Sequence, residues 1–151
     1  MKTPEGPNPK PRVCIIDDDH EVIEHAVRVF AARGLLVLPI SQPIGSANQI
    51  RAFNPDLIVL DLMMPAIDGG ELLGLLRRLL KKLPPVVLYS GIDPEELRRV
   101  AENYEVAGHV YKGDGPMRLL GEVNLHLAAS ARNPLTTAPA AGPGARRSQE
   151  P

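Results

Sequence analysis

Four apolar runs in this sequence stop abruptly at residues with chemistry to offer. Val13 to Ile16 runs into Asp17, Asp18 and Asp19, Leu57 to Leu60 into Asp61, Val86 to Tyr89 into Ser90, and Gly108 to Tyr111 into Lys112. Laid side by side, these runs bring carboxylates, a hydroxyl and an ammonium to one rim. Three carboxylates within about 4 Å repel one another by roughly 4 kcal/mol per pair at an effective dielectric near 20. Such a cluster shifts its pKa values or recruits a cation. All-oxygen donors without His or Cys suit a hard ion, Mg²⁺ or Mn²⁺, which keeps several waters and takes phosphate oxygens as its other partners. Lys112 can neutralise one carboxylate or a dianionic group attached to it. A metal, a lysine and a hydroxyl around one aspartate suit in-line phosphoryl transfer with that carboxylate as nucleophile.

The elements that must position these residues can be read from the spacing of apolar residues. Val13 to Ile16 has no polar alternation, so it reads as a strand buried on both faces, the signature of a parallel sheet. Val22, Ile23, Ala26, Val27, Val29 and Phe30 recur at helical spacing over His20 to Arg33, and Gly34 stops that helix as a C-cap. Leu35 to Ile40 is a second strand, followed by a weaker helix over Ile44 to Phe53 and a turn at Asn54-Pro55. After Leu57 to Leu60, a helix is expected from Glu71 to Lys82. Leu72, Leu75, Leu76, Leu79 and Leu83 form its core stripe, and Arg77, Arg78, Lys81 and Lys82 crowd its C-terminal end. Asp93-Pro94-Glu95-Glu96 starts the next helix with a cap, a proline at the first position and a glutamate three residues on. Leu97, Val100, Ala101 and Tyr104 form its stripe, and a last helix spans Pro116 to Ser130. Five strands alternating with five helices specify right-handed crossovers and a three-layer, doubly wound α/β fold around a five-stranded parallel sheet. Its ligands bind beyond the carboxyl ends of the strands.

Composition limits what else the chain can be. Its 151 residues are 44% hydrophobic and 23% charged, the profile of one soluble globular domain. Half of the 16 prolines lie near the ends, so residues 1–11 and 131–151 read as disordered Pro-rich and Ala/Pro-rich tails around one domain at 12–130. The tails carry +3 and the body −4, which argues against direct DNA binding. A lone Cys14 in an apolar run excludes a disulfide framework. No apolar run nears the roughly 18 residues of a membrane span and no signal peptide opens the chain, so a cytoplasmic location is expected.

The segments VCIIDDDHEV, PDLIVLDLMMPAIDGGELL, VVLYSG and GHVYKGD resemble, in order, the receiver domain of bacterial two-component response regulators, over Arg12 to about Ser130. The resemblance implies a flavodoxin-like (βα)5 fold and a Mg²⁺-dependent reaction in which Asp61 accepts a phosphoryl group. It makes Asp18 a direct metal ligand alongside Asp61, Asp17 a ligand mainly through water, and the carbonyl of Met63 a further ligand. Ser90 and Lys112 would bind the phosphoryl group. His109 stands where the family usually has Tyr or Phe, the switch residue that turns inward with Ser90. Gly113 replaces a frequent proline, which implies a looser loop into the last helix. The implied partners are a histidine kinase or histidine phosphotransfer protein upstream and a protein target downstream, with a phosphorylation-dependent homodimer as a further expectation. The family's partner face would comprise Arg98, Arg99, Glu102, Tyr111 and Arg118. Five strand-helix units fill the body, so a stand-alone regulator is expected, without an output domain and with no enzyme activity beyond self-directed phosphotransfer and autodephosphorylation.

Each of these residues also has a plainer reading. Asp18 with Glu21 has the spacing of a capping box, with aspartate in place of serine, but capping does not use two further acids. Arg98, Arg99 and Glu102 also fit a solvated helix face, and His109 fits core packing as well as a switch. His20, His25 and His126 lack ligand spacing and read as surface or helix-face residues. Haloacid-dehalogenase-like phosphohydrolases also use a strand-end aspartate. They need an acid two residues later to protonate the leaving group, and Met63 has no proton to give. A nucleotide-binding domain is disfavoured because no strand leads into GxGxxG or GxxxxGK[ST].

Overall fold

The computed structural model describes residues 9–132, and both Pro-rich tails lie mainly outside that range. Five strands form one parallel sheet: β1 (Arg12–Ile16), β2 (Leu36–Ile40), β3 (Leu57–Leu60), β4 (Val86–Ser90) and β5 (Gly108–Tyr111). The helices are α1 (His20–Ala32), α2 (Ala47–Phe53), α3 (Gly69–Leu79), α4 (Pro94–Tyr104) and α5 (Gly115–Arg132). Strand order is β2-β1-β3-β4-β5. The order reverses between β1 and β3, so the crevice of this sheet opens above the adjacent ends of those two strands.

Alternation along the buried strands splits the core into two layers. Val13, Ile15, Val59, Val87, Tyr89 and Val110 face α1 and α5, where Phe30, Leu119 and Val123 are buried. Cys14, Ile16, Ile58, Leu60 and Leu88 face α2, α3 and α4, packing on Ile50, Leu72, Leu76 and Leu97. Burial pushes the Cys14 thiol up to about 12, which keeps it protonated and inert. At the β2 edge Pro39 presents no N–H for another strand to pair with.

The element ends show where local chemistry overrode simple periodicity. Asp19, rather than Asp18, caps α1, its Oδ1 accepting from the N–H of Glu21 at 3.0 Å and of Val22 at 3.3 Å. Arg33 closes α1 and Gly34 follows at φ +85°. The amides of Gly34 and Leu35 donate to Ala31 and Phe30, the pairing of a Schellman motif, which a glycine in the left-handed region permits. The helix expected from Ile44 starts only at Ala47. The Ser46 hydroxyl donates back to Pro43 O at 2.6 Å and holds 43–46 as a turn around Gly45 at φ +86°. Conversely α3 begins two residues before Glu71 because Asp68 caps it, accepting from the Glu71 N–H at 3.3 Å. It ends at Leu79 with Leu80 extended, so Lys81 and Lys82 lie beyond the helix whose end they were expected to occupy. The buried α3 leucines are Leu72, Leu73 and Leu76, while Leu75 and Leu79 are half-buried. Asp93 and Pro94 start α4 as expected. α5 runs two residues past Ser130.

Candidate functional site

The backbone of each strand-end aspartate is tied to its neighbouring strand. Asp17 N donates to Ile40 O of β2 and Asp61 N to Ile16 O of β1, both at 3.0 Å. The side chains of Asp17, Asp18 and Asp61 therefore converge above β1 and β3, each offering an oxygen within 4.8 Å of the others. Asp17 and Asp61 are 2% exposed, whereas Asp18 is exposed. Lys112, carried in from β5, stands between the two buried acids, its Nζ 2.8 Å from Asp17 Oδ2 and 3.3 Å from Asp61 Oδ2.

Asp61 Oδ1 accepts from the Met63 N–H at 3.2 Å, and its Oδ2 meets Lys112 as an ion pair. Asp17 Oδ1 accepts from the Asp19 N–H at 3.0 Å. Asp17 Oδ2 is different. The Lys112 ammonium meets it at ion-pair distance but off the line of a hydrogen bond, which leaves a fully buried anionic oxygen with no donor aimed at it. A buried anionic oxygen in that condition, two further carboxylates and no His or Cys fit a hard divalent cation.

The charge states follow from this crowding. Burial raises the Asp17 carboxyl above its ordinary value, the ion pair with Lys112 opposes that, and the Asp61 charge adds to it. Burial acts on Lys112 in the opposite sense and would lower it, but Asp17 and Asp61 together hold its ammonium above the usual lysine range. A carboxyl raised on folding contributes stability that is complete below its unfolded value and is lost as pH climbs through its folded value. The ionised Asp17 is thus a net cost at neutral pH. Asp17→Asn is expected to stabilise the metal-free protein at pH 7 by on the order of 1 kcal/mol, seen as a higher melting temperature. That gain should shrink as pH falls through the raised folded value of Asp17 and be gone below about 4, the ordinary aspartate value, and stabilisation by Mg²⁺ should weaken. Thermal scans across pH in EDTA and in Mg²⁺ measure both effects, and a variant less stable than wild type at pH 7 in EDTA would contradict them.

Close approach of α3 completes the rim. A Cβ at Gly69 would lie 2.8 Å from Leu62 Cδ2 and 2.9 Å from Leu62 Cα, so only glycine lets the helix start this close to the Asp61–Leu62 backbone. Met63, 62% exposed, stands at the mouth. The sequence pattern of the response regulator receiver domain matches residues 13–124, a span that holds all of these acids and the lysine.

The chain belongs to the response regulator receiver domain family. Among curated relatives it is 27% identical over 124 residues to the transcriptional regulatory protein RstA of Escherichia coli, covering 82% of this chain and 51% of that one. It is also 27% identical over 143 residues to the alkaline phosphatase synthesis transcriptional regulatory protein SphR of Synechococcus elongatus, covering 89% and 55%. The chain thus spans about half the length of these relatives. A Francisella response regulator receiver domain superposes with a TM-score of 0.71 at 25% identity, covering 80% of this chain and 99% of that one. A CheY-like receiver domain protein from Methanospirillum hungatei gives 0.71 at 19% identity, covering 82% and 98%.

Not every expected site residue of this receiver domain joins the cluster. Asp17, Asp18, Asp61 and Lys112 come together. Ser90 is fully buried at the end of β4, where its hydroxyl oxygen accepts from the Ile92 N–H at 3.4 Å. His109 pairs in register with Leu88 and is half-buried on the α4 side of the edge strand. The loop after Lys112 is a compact 3₁₀ turn, Lys112–Asp114, rather than a loose one. The Tyr111 ring lies where a side chain at Gly113 would have to go. Arg98 is held by Glu95 and Glu102, each at 3.2 Å, and Arg118 by Glu122 at 3.2 Å. These partly exposed ladders run along their own helices, as a solvated face would. Arg99 is exposed. His20 and His25 are exposed, but His126 is half-buried and 3.1 Å from Glu122. The 122/126 spacing of four residues on a helix was a legible sign of that pair. The Met63 N–H to Asp61 bond had no sign in the sequence, because it depends on how the loop folds back. No helix among the described residues is long and apolar enough to cross a membrane.

Proposed function

We propose that Asp61 is the phosphoacceptor of this receiver domain and that the domain signals by phosphorylation-dependent binding of a protein target. The observation that carries this reading is a buried Asp61 carboxylate bridged to a second buried acid by one lysine, with three carboxylate oxygens within 4.8 Å. A carboxylate oxygen of Asp61 attacks phosphorus in line. The donor's bond to phosphorus, an N–P bond in a phosphohistidine partner, breaks with its electron pair staying on the donor imidazole. Asp17, Asp18, Asp61 and the carbonyl of Met63 would hold Mg²⁺ or Mn²⁺. That ion supplies charge neutralisation for the phosphoryl oxygens. Lys112, already 3.3 Å from Asp61, releases Asp17 to pair with the incoming dianion. Ser90 exchanges its contact with the Ile92 amide for a phosphoryl oxygen, and His109 is proposed to follow it inward from the β5 edge. The upstream partner is a histidine kinase or histidine phosphotransfer protein. The face carrying Arg98, Arg99, Glu102, Tyr111 and Arg118 is proposed to meet the downstream protein or a second copy.

Incubation with acetyl phosphate and Mg²⁺ is expected to add a single phosphoryl group, visible by intact mass, removed by mild base and mapped by peptide analysis to Asp61. EDTA should suppress it by at least about tenfold, since one metal–phosphoryl contact is worth several kcal/mol. Label on a different residue, or none, would sink the reading.

A further inference from the structure

The end of the sheet away from the aspartates carries charge of the opposite sign. An open groove of about 1040 Å³ runs there between the start of β1, the turns before β3, β4 and β5, and the end of α5. Lys10, Arg12, Arg77 and Lys82 line it, and Arg78 and Lys81 stand beside them. All six are exposed, and none of their cationic groups lies within 4 Å of a carboxylate among the described residues, the Arg77 guanidinium donating instead to Tyr104 O at 2.7 Å. By contrast Arg98, Lys112 and Arg118 are all paired. A body of net charge −4 thus collects unpaired cations at one end, partly because α3 stops at Leu79 and releases Lys81 and Lys82 to the groove.

We propose that this groove docks an acidic, extended segment of a partner protein, at a second interaction site separate from the aspartate cluster. Its walls alternate charge with apolar surface from Leu83, Val106 and Leu127, which suits a peptide whose acidic side chains alternate with small apolar ones. Strands of four or five residues separate it from the aspartates by about 15 Å. An occupant here leaves the Asp61 rim open, so the inference stands whether or not Asp61 is the phosphoacceptor. Nucleic acid fits less well. Glu105 and Asp56 on the walls interrupt the positive charge that a continuous phosphate backbone would track, whereas a peptide of alternating pattern can set its small apolar residues opposite them. No aromatic residue among those described lines the groove to stack bases. A flat anionic bilayer cannot follow a concave wall.

The test uses the full chain and a short fluorescein-labelled peptide alternating Glu and Ala. Fluorescence anisotropy should show saturable binding that weakens as salt rises. Arg78→Glu/Lys81→Glu/Lys82→Glu should lose at least about tenfold in affinity, and the milder Lys81→Gln/Lys82→Gln about threefold. Arg28→Glu on the exposed side of α1 should stay within about twofold of wild type. In amide NMR spectra the peptide should shift Lys82 and Glu105 to Ala107 rather than Asp61 and Met63. Absence of saturation, equal weakening by the α1 variant, or shifts centred on Asp61 would overturn the proposal. So would tighter binding of a polythymidine oligonucleotide or of phosphatidylserine vesicles than of the peptide.

Discussion

Asp61→Asn is expected to incorporate no phosphoryl group from acetyl phosphate or a phosphorylated kinase, a loss of at least about a hundredfold against wild type. The amide keeps the shape of the side chain and leaves the β3 backbone tie to Ile16 O in place, so the fold should survive. It removes the anionic oxygen proposed to attack phosphorus and one of the carboxylates in the cluster. Intact-mass analysis after incubation with Mg²⁺ gives the occupancy, and far-UV CD with a thermal scan confirms that the variant is folded. With Asp61 gone, Lys112 pairs with Asp17 alone, and like-charge repulsion between two buried acids disappears. The unphosphorylatable variant should consequently melt no lower than wild type without metal. Labelling equal to wild type would remove Asp61 from its proposed role. Loss of labelling with loss of fold would instead make the residue structural.

The largest stability effect is expected from Phe30→Ala, at about 3–5 kcal/mol. Phe30 is fully buried between α1, α5 and the sheet and is among the largest side chains with no exposure. Its removal loses the transfer energy of the ring and leaves a cavity that the flanking strands cannot collapse into. Set against a typical total of about 5–15 kcal/mol, this should lower the melting temperature by about 10–20 °C. Leu36→Ala, on the β2 edge and 41% exposed, should stay within about 1 kcal/mol as a control. Both follow from urea or thermal unfolding monitored by CD. A Phe30→Ala variant within about 1 kcal/mol of wild type would mean that α1 repacks freely against α5.

The strands were legible because a strand buried on both faces must be apolar along its length, as β3 is and as β1 and β4 are apart from Arg12 at the start of one and Ser90 at the end of the other. The strand-end polar residues stood out against those runs. Helix ends were harder to read. Ser46 looked like an ordinary residue inside a helix but spends its hydroxyl on Pro43 O, while Asp68 was a legible cap whose spacing to Glu71 matches a capping box. Leu73 escaped because helical spacing favours the narrow stripe of Leu72 and Leu76, whereas α3 lies in a groove wide enough to bury its neighbour too. The pairing of Lys112 with both buried acids, and the unshared oxygen of Asp17, depend on distances between segments far apart in the chain, Asp17, Asp61 and Lys112 coming from β1, β3 and β5. No local pattern encodes them.

Residue types and order alone were enough to establish an alternating α/β chain, a parallel sheet and the acids, hydroxyl and lysine that end its strands. Those features are local, since each rests on the burial pattern of one short run. Strand order, and with it the placing of Asp17 beside Asp61 at the β1/β3 reversal, belongs to the folded chain. So do the choice of Asp19 as the α1 cap and the gathering of Lys10, Arg12, Arg77 and Lys82 around one groove. Each depends on which distant segments touch, and that is decided by the packing of two core layers against one sheet rather than by any residue's own preference.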